Sequence, residues 1–310
     1  RGNNGYTTLH IAAFGGHADV VEILLADPRF TDKSMNEKNK WWDNALHLAA
    51  HKGHVNVARA LLADQQFTNK SINEKNEDGR TALHLAALNG HANVTRALLA
   101  DRRFTDKSTK ERDNSGRTAL HLAALNGHTN VVIALLTGSR FTGKSINEKD
   151  NNGRTTLHLA AVKGHVDVVI ALLATGSRFT GKSINEKDNN GRTALHWAAY
   201  NGYADVVIAL LTEPRFTDKS INEKDNDGYT ALHLAALYGH ADVVKALLAN
   251  RQFTDKSINE KNRGGHTALD IAVHGKKIQI IKLFLLANKH DPLARYKVDK
   301  DDNVSYNLLA

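Results

Sequence analysis

"DGRTALHLAALNGHANVTRALLADRRFTDKSTKE", residues 78–111, decides the architecture, because nearly the same letters return along the whole chain. The histidine of its T-x-L-H segment recurs at His10, His47, His84, His121, His158, His196 and His233, once within N-A-L-H, and Asp270 stands in register in an eighth copy. The intervals are 37 residues except for one of 38, which the extra Thr175 accounts for. Such a period marks a stacked repeat: one unit cannot bury its apolar side alone, whereas neighbours in series can.

Within the unit, Thr81 is placed to cap a short helix, "ALHLAAL", that has little polar surface, and Gly90 to end it in a left-handed conformation. "HANVTRALLA" sets Val94, Ala97 and Leu98 at i, i+3 and i+4, which predicts a second, amphipathic helix. Asp19, Asp167, Asp205 and Asp242 fall in the first turn of that helix in other copies, where negative charge is favoured. Between units, "EKDNNGRT" (148–155) carries an Asn-Gly hairpin signal.

These features resemble the ankyrin repeat. "DNNGRTTLHLAAVKGHVDVVIALL" (150–173) carries the family's T-x-L-H, the following "AA", the "GH" and the "VV-x-ALL" helix, with Ala in place of the usual proline in most copies. The resemblance implies an all-α, helix-turn-helix solenoid with β-hairpin turns between repeats. It is expected to run as a single array of eight units within 1–290, with 291–310 ("DDNVSYNLLA" at its end) as a partial ninth unit or C-terminal cap. This unit exceeds the usual ~33 residues by four. The excess lies in "RFTDKSINEK", whose Phe30, Phe67, Phe104, Phe141, Phe179, Phe216 and Phe253, and the residue five on, are expected to close the core over the second helix.

Part of that insert imitates a different protein class. "GSRFTGKS" occurs at 138–145 and 176–183 and fits the phosphate-loop pattern G-x-x-x-x-G-K-[ST]. In register it is the ordinary insert with acids replaced by glycine, and it is expected to follow a helix and lead into a turn, without the helix N-terminus that would face a phosphate. No nucleotide site is expected.

The remaining composition excludes little and requires little. The chain has 310 residues, 41% of them hydrophobic and 24% charged, with no cysteine for disulfides or thiolate metal sites. Its apolar runs are far shorter than the ~18 residues of a membrane span. Thirteen of seventeen histidines belong to the T-x-L-H and G-H columns, which argues for structure rather than metal. The Ser, His and Asp recur in nearly every copy, so no unit makes a local nucleophile with its own base; no catalytic residue, cofactor or metal is expected. The net charge of +8 raises nucleic acid, but lysine alternates with glutamate in each "NEK", which argues against it.

The resemblance places partner binding on the concave side, at hairpin tips and exposed positions of the first helix. The tips give Tyr6, Asp43, Arg80, Arg117, Arg154, Arg192, Tyr229 and His266. The arginines form either a basic stripe for an acidic partner surface or merely solubilising charges. "KWWDN" (40–44) puts Trp41 and Trp42 at a tip, either as a binding anchor or packed onto a distorted turn. The expected binding residues are therefore Trp41, Trp42, Arg80, Arg117, Arg154, Arg192, Tyr200, Tyr203, Tyr229 and Tyr238. The expected role is a non-enzymatic scaffold for another protein; a structural or self-assembling element is the alternative. Repeat 1 lacks a distinct polar cap while "TALDIAVHGKKIQIIKLFLL" (267–286) looks cap-like, so the chain is expected to be part of a larger one.

Overall fold

In the computed structural model, which describes residues 4–138, 143–176, 180–287, 296–298 and 304–306, the repeats are built from a small set of recurring local devices, from which repeat 8 departs with Asp270 in the histidine's place and a first helix ending at Gly275 with φ −80°. Repeats are numbered 1 to 8 by the T-x-L-H position. Repeat 3 has a first helix (Ala82–Leu88), a second helix (Ala92–Ala100) and a one-turn helix in the insert (Asp106–Thr109). The chain falls into two compact units, residues 1–160 with 174–179 and residues 161–173 with 180–310. Within each, first helices pack on first helices and second helices on second helices.

The threonine–histidine pair starts the first helix and also joins it to the next repeat. In repeat 4 the Thr118 N–H donates to His121 Nδ1 (3.1 Å), and the Thr118 hydroxyl lies 2.8 Å from the same nitrogen. An Nδ1 that accepts from an amide carries no proton, so the hydrogen sits on Nε2. That Nε2–H donates to the Arg154 carbonyl (3.2 Å), 33 residues on, at the tip of the following repeat. His10 to Asp43, His47 to Arg80, His84 to Arg117, His196 to Tyr229 and His233 to His266 repeat the bond.

The first helix stops where it must, at a glycine with positive φ, such as Gly53 (+81°), Gly90 (+79°) or Gly202 (+80°). The G-H histidine of the next repeat fills the space over it: a Cβ on Gly53 would lie 2.5 Å from His91 Nδ1. His91 Nε2 meanwhile donates to the His51 carbonyl (3.0 Å), so this column bonds one repeat backwards while the T-x-L-H column bonds forwards. Between the layers the core is apolar: Ala86, Ala87, Val94 and Leu98 are fully buried, as are Ala198, Ala199, Val206 and Leu210.

The four-residue excess builds the one-turn helix. Thr105, Thr180 and Thr217 cap it, accepting the N–H of Ser108, Ser183 and Ser220. Phe67, Phe104 and Phe216 are about 1% exposed, and Met35, Ile72, Ile146, Ile184 and Ile221 no more than 2%. Phe30 and Phe253 are half-buried, whereas Phe141 and Phe179 lie outside the described residues. The expectation that "GKS" leads into a turn is corrected: Gly143–Ile146 and Gly181–Ile184 are themselves one-turn helices, the second nucleated by Thr180, which caps the N–H of Ser183. Ser183, the residue a phosphate loop would turn toward magnesium, is 2% exposed and held in that cap. Residues 139–141 and 177–179 of the two "GSRF" segments lie outside the described residues.

Beyond repeat 8, Tyr296–Val298 pairs antiparallel with Val304–Tyr306, with Tyr296 opposite Tyr306. The rest of the expected ninth unit lies outside the described residues. No helix among the described residues is long and apolar enough to cross a membrane.

Candidate functional site

The hairpin tips hang on a buried acid or amide. In repeat 4, Asp113 Oδ1 accepts the N–H groups of Ser115 (2.9 Å) and Arg117 (2.8 Å), closing the turn from inside. Asp113, Asp150 and Asp225 are only 5–7% exposed. The tip arginine of the preceding repeat faces the other carboxylate oxygen: Arg80 Nε lies 3.8 Å from Asp113, Arg117 Nε 3.9 Å from Asp150 and Arg192 Nε 3.4 Å from Asp225. These arginines therefore balance buried charge between repeats as well as facing outward, a role the sequence does not announce. Arg154 occupies the same tip position in repeat 5.

The insert adds a second ladder of ion pairs. Lys38 meets Glu74 (2.7 Å), Lys75 meets Glu111 (2.8 Å), Arg112 meets Glu148, Lys187 meets Glu223 (2.7 Å) and Lys224 meets Glu260 (2.7 Å). Lys38, Lys75, Lys187 and Lys224 of the "NEK" segments are thus partnered one repeat ahead, which offsets positive charge along the insert.

The tryptophans divide. Trp41 is half-buried and packs edge-on against Tyr6, ring centroids 6.1 Å apart, with Lys40 Nζ 4.4 Å above its face. Trp42 is 59% exposed and sits at φ +66°, the position other repeats give to glycine. A side chain there costs ~1–2 kcal/mol in backbone strain. Asn39 holds the turn by accepting the N–H groups of Trp41 and Asp43 (2.9 Å each).

In the other unit the aromatic residues converge. Tyr200 and Tyr238 have ring centroids 4.4 Å apart, and Trp197 meets Tyr200 edge-on at 5.6 Å. The Arg192 guanidinium lies 4.9 Å from the Trp197 ring and 5.1 Å from the Tyr200 ring. Trp197 itself is buried, its indole N–H donating to Asp188 (2.9 Å). A hydrogen bond with Tyr200 raises the Tyr238 pKa, and Tyr238 remains 45% exposed. The structure thus brings together Arg192, Tyr200 and Tyr238 on a Trp197 platform. Tyr229 stands at the next tip, edge-on to His233 (5.9 Å). Tyr203 belongs elsewhere: it replaces the G-H histidine, its ring covers Gly164, and it lines a groove between second helices.

The T-x-L-H imidazoles are unsuited to acid–base work. Burial lowers the pKa of His84, His121 and His196 to about 4, and that of His10, His47 and His233 in the same direction. Each is neutral at pH 7, with Nδ1 held by its own cap and Nε2 held by the next repeat.

Comparison with known proteins agrees with this geometry. A family model described as ankyrin repeats (three copies) matches residues 1–71, 29–109, 65–150, 139–222 and 215–296. Among solved structures, the ankyrin repeat domain of Bcl-3, described as a unique member of the IkappaB protein family, superposes with a TM-score of 0.63 at 26% sequence identity, over 77% of this chain and 98% of that one. No curated protein matches. With a helix pair, a histidine-pinned hairpin and a glycine stop repeating in phase, and the family model matching nearly end to end, the chain belongs to the ankyrin repeat family.

Proposed function

We propose that this protein-interaction fold serves as a non-enzymatic scaffold, binding a partner protein on its concave face through hairpin tips and first helices. The observation that carries the reading is Trp42: a large aromatic side chain, 59% exposed, in a backbone conformation that favours glycine. Strain kept at an exposed tip, where the ring has the Lys38 ammonium 5.6 Å from its centroid and is otherwise mostly in water, is what a binding anchor would explain. Support comes from the first helices, where Phe14, Leu237 and Tyr238 are 41–45% exposed above alanines that are fully buried. Variation over a constant scaffold is how repeat arrays specify partners. The paired arginines of the tips favour a partner with acidic side chains, which would share Arg192 with Asp225. Changing Trp41 and Trp42 together to Ala should weaken partner binding at least ten-fold while thermal unfolding stays cooperative; unchanged affinity would remove the anchor.

A second reading is a self-assembling structural element. Light scattering against concentration separates the two: growth with concentration favours assembly, a constant size the scaffold.

A further inference from the structure

The second helices of repeats 6 and 7, Ala204–Leu211 and Ala241–Ala249, flank an open groove of about 780 Å³. Its lining includes Tyr203, Ile208 and Leu211, with Asp205, Asp242 and Lys245. Ile208 is 48% exposed and Tyr203 37%. These are large apolar groups left in water on the side of the repeat opposite the first helices. Tyr203 is also the single tyrosine in a column that otherwise holds histidine or, in repeat 8, lysine.

The charge of this groove is opposite in sign to that of the whole protein. Asp205 and Asp242 are exposed at one end, and neither makes an ion pair among the described residues. At the other end Thr212 and Asn250 follow the last helical turns, where carbonyl groups favour a cation. The groove in register on repeats 2 and 3, about 480 Å³, is lined instead by Arg59 and Arg96, with Asn56 and Asn93 where the acids stand. Val57 and Val94 beneath it are as fully buried as Val206 and Val243. The acids and the isoleucine are thus not needed for packing.

We propose that this groove docks a basic amphipathic helix of a partner protein, at a site separate from the hairpin face. The helix lays an apolar stripe at i, i+3, i+4 and i+7 over Ile208, Leu211 and Tyr203, and its lysines or arginines meet Asp205 and Asp242. Lys245 opposes such a ligand. Repeats 4, 5 and 6 carry Ile133, Ile170 and Ile208 at that position, so isoleucine there is compatible with the fold.

The test is fluorescence anisotropy of the full 310-residue chain with a labelled Leu/Lys amphipathic peptide and its Leu/Glu counterpart, with thermal melting of each variant by circular dichroism as the folding control. The Leu/Lys peptide should bind. Ile208→Lys and the double variant Asp205→Asn, Asp242→Asn should each weaken it at least ten-fold, and Lys245→Ile should tighten it several-fold. The Leu/Glu peptide should bind more weakly throughout. Trp41→Ala with Trp42→Ala should leave the Leu/Lys affinity unchanged, which separates this groove from the hairpin face. Equal Leu/Lys affinity for the wild type and Ile208→Lys, or tighter binding of the Leu/Glu peptide, would overturn the proposal.

Discussion

Repeats 2 and 3 in one unit and repeats 6 and 7 in the other bury the same framework, yet display opposite chemistry on their second helices. Val57 and Val94 match Val206 and Val243 in having no exposure; above them, Arg59 and Arg96 occupy the places of Ile208 and Lys245. The tips differ as well. One unit offers Trp42 on a strained turn, the other a Tyr200–Tyr238 pair beneath Arg192. The lesson is a division of labour by column: positions that face the next repeat are held constant by packing and hydrogen bonding, and positions that face water are released to vary. An interior change should therefore act alike in both units, and a surface change should act locally.

The largest effect on the shared framework should come from acid. His84 and His121 in one unit and His196 in the other titrate at about 4 when folded, because burial disfavours the charged ring, against 6.5 when unfolded. Between those values the unfolded chain binds protons that the folded one excludes. Stability is therefore fully present above pH 6.5 and is lost as pH falls toward 4, by up to ~1.4 kcal/mol per pH unit for each ring. Urea titrations at pH 7.5 and pH 5 should show a loss of several kcal/mol, and a flat profile would mean that these rings are charged or exposed.

A smaller effect separates two glycines of the same backbone type. Gly202 and Gly265 have φ of +80° and +79°. A Cβ on Gly202 would meet His240 Nδ1 at 2.5 Å, while one on Gly265 meets nothing within 4 Å. Gly202→Ala should cost about 2–3 kcal/mol, combining left-handed strain with displacement of the imidazole that bonds the Tyr200 carbonyl. Gly265→Ala should cost only the strain, about 1 kcal/mol. Equal losses would show that the histidine column adds nothing to the stop.

The smallest effect lies in the insert ladder. Lys75→Ala and Lys224→Ala each break one inter-repeat ion pair whose members are partly exposed. Each should cost below ~1 kcal/mol, shrinking as salt is added, and equally in the two units. A salt-independent loss in one unit alone would break the symmetry that the shared framework implies.

How much of this was legible without coordinates follows from the same division. The period, the Thr81 cap and the Gly90 stop are local or periodic signals that fell where the spacing put them, as did Phe67, Phe104 and Phe216 and the Ile72 column, whereas Phe30 and Phe253 are only half-buried. The partners of the arginines were not legible. Arg80 and Asp113 are 33 residues apart, and only the stacking of two tips brings them together. A signal existed: an acid or amide recurs at Asn76, Asp113, Asp150, Asp188, Asp225 and Asn262, too regular for a solvated charge. Tyr203 is three residues from Tyr200 in sequence, yet the glycine stop at Gly202 turns the chain between them. The groove it lines depends on two neighbouring helices and could not be read from either one.

Changing the tip arginines to Glu is a poor probe of binding, since a carboxylate at Arg117 would confront the buried Asp150. Trp42→Gly is the more direct measurement. Glycine relieves the positive φ, so the account predicts a chain more stable by about 1 kcal/mol that captures its partner at least ten-fold less well. A less stable chain with undiminished capture would show that Trp42 serves the turn and not the partner, and would contradict the account.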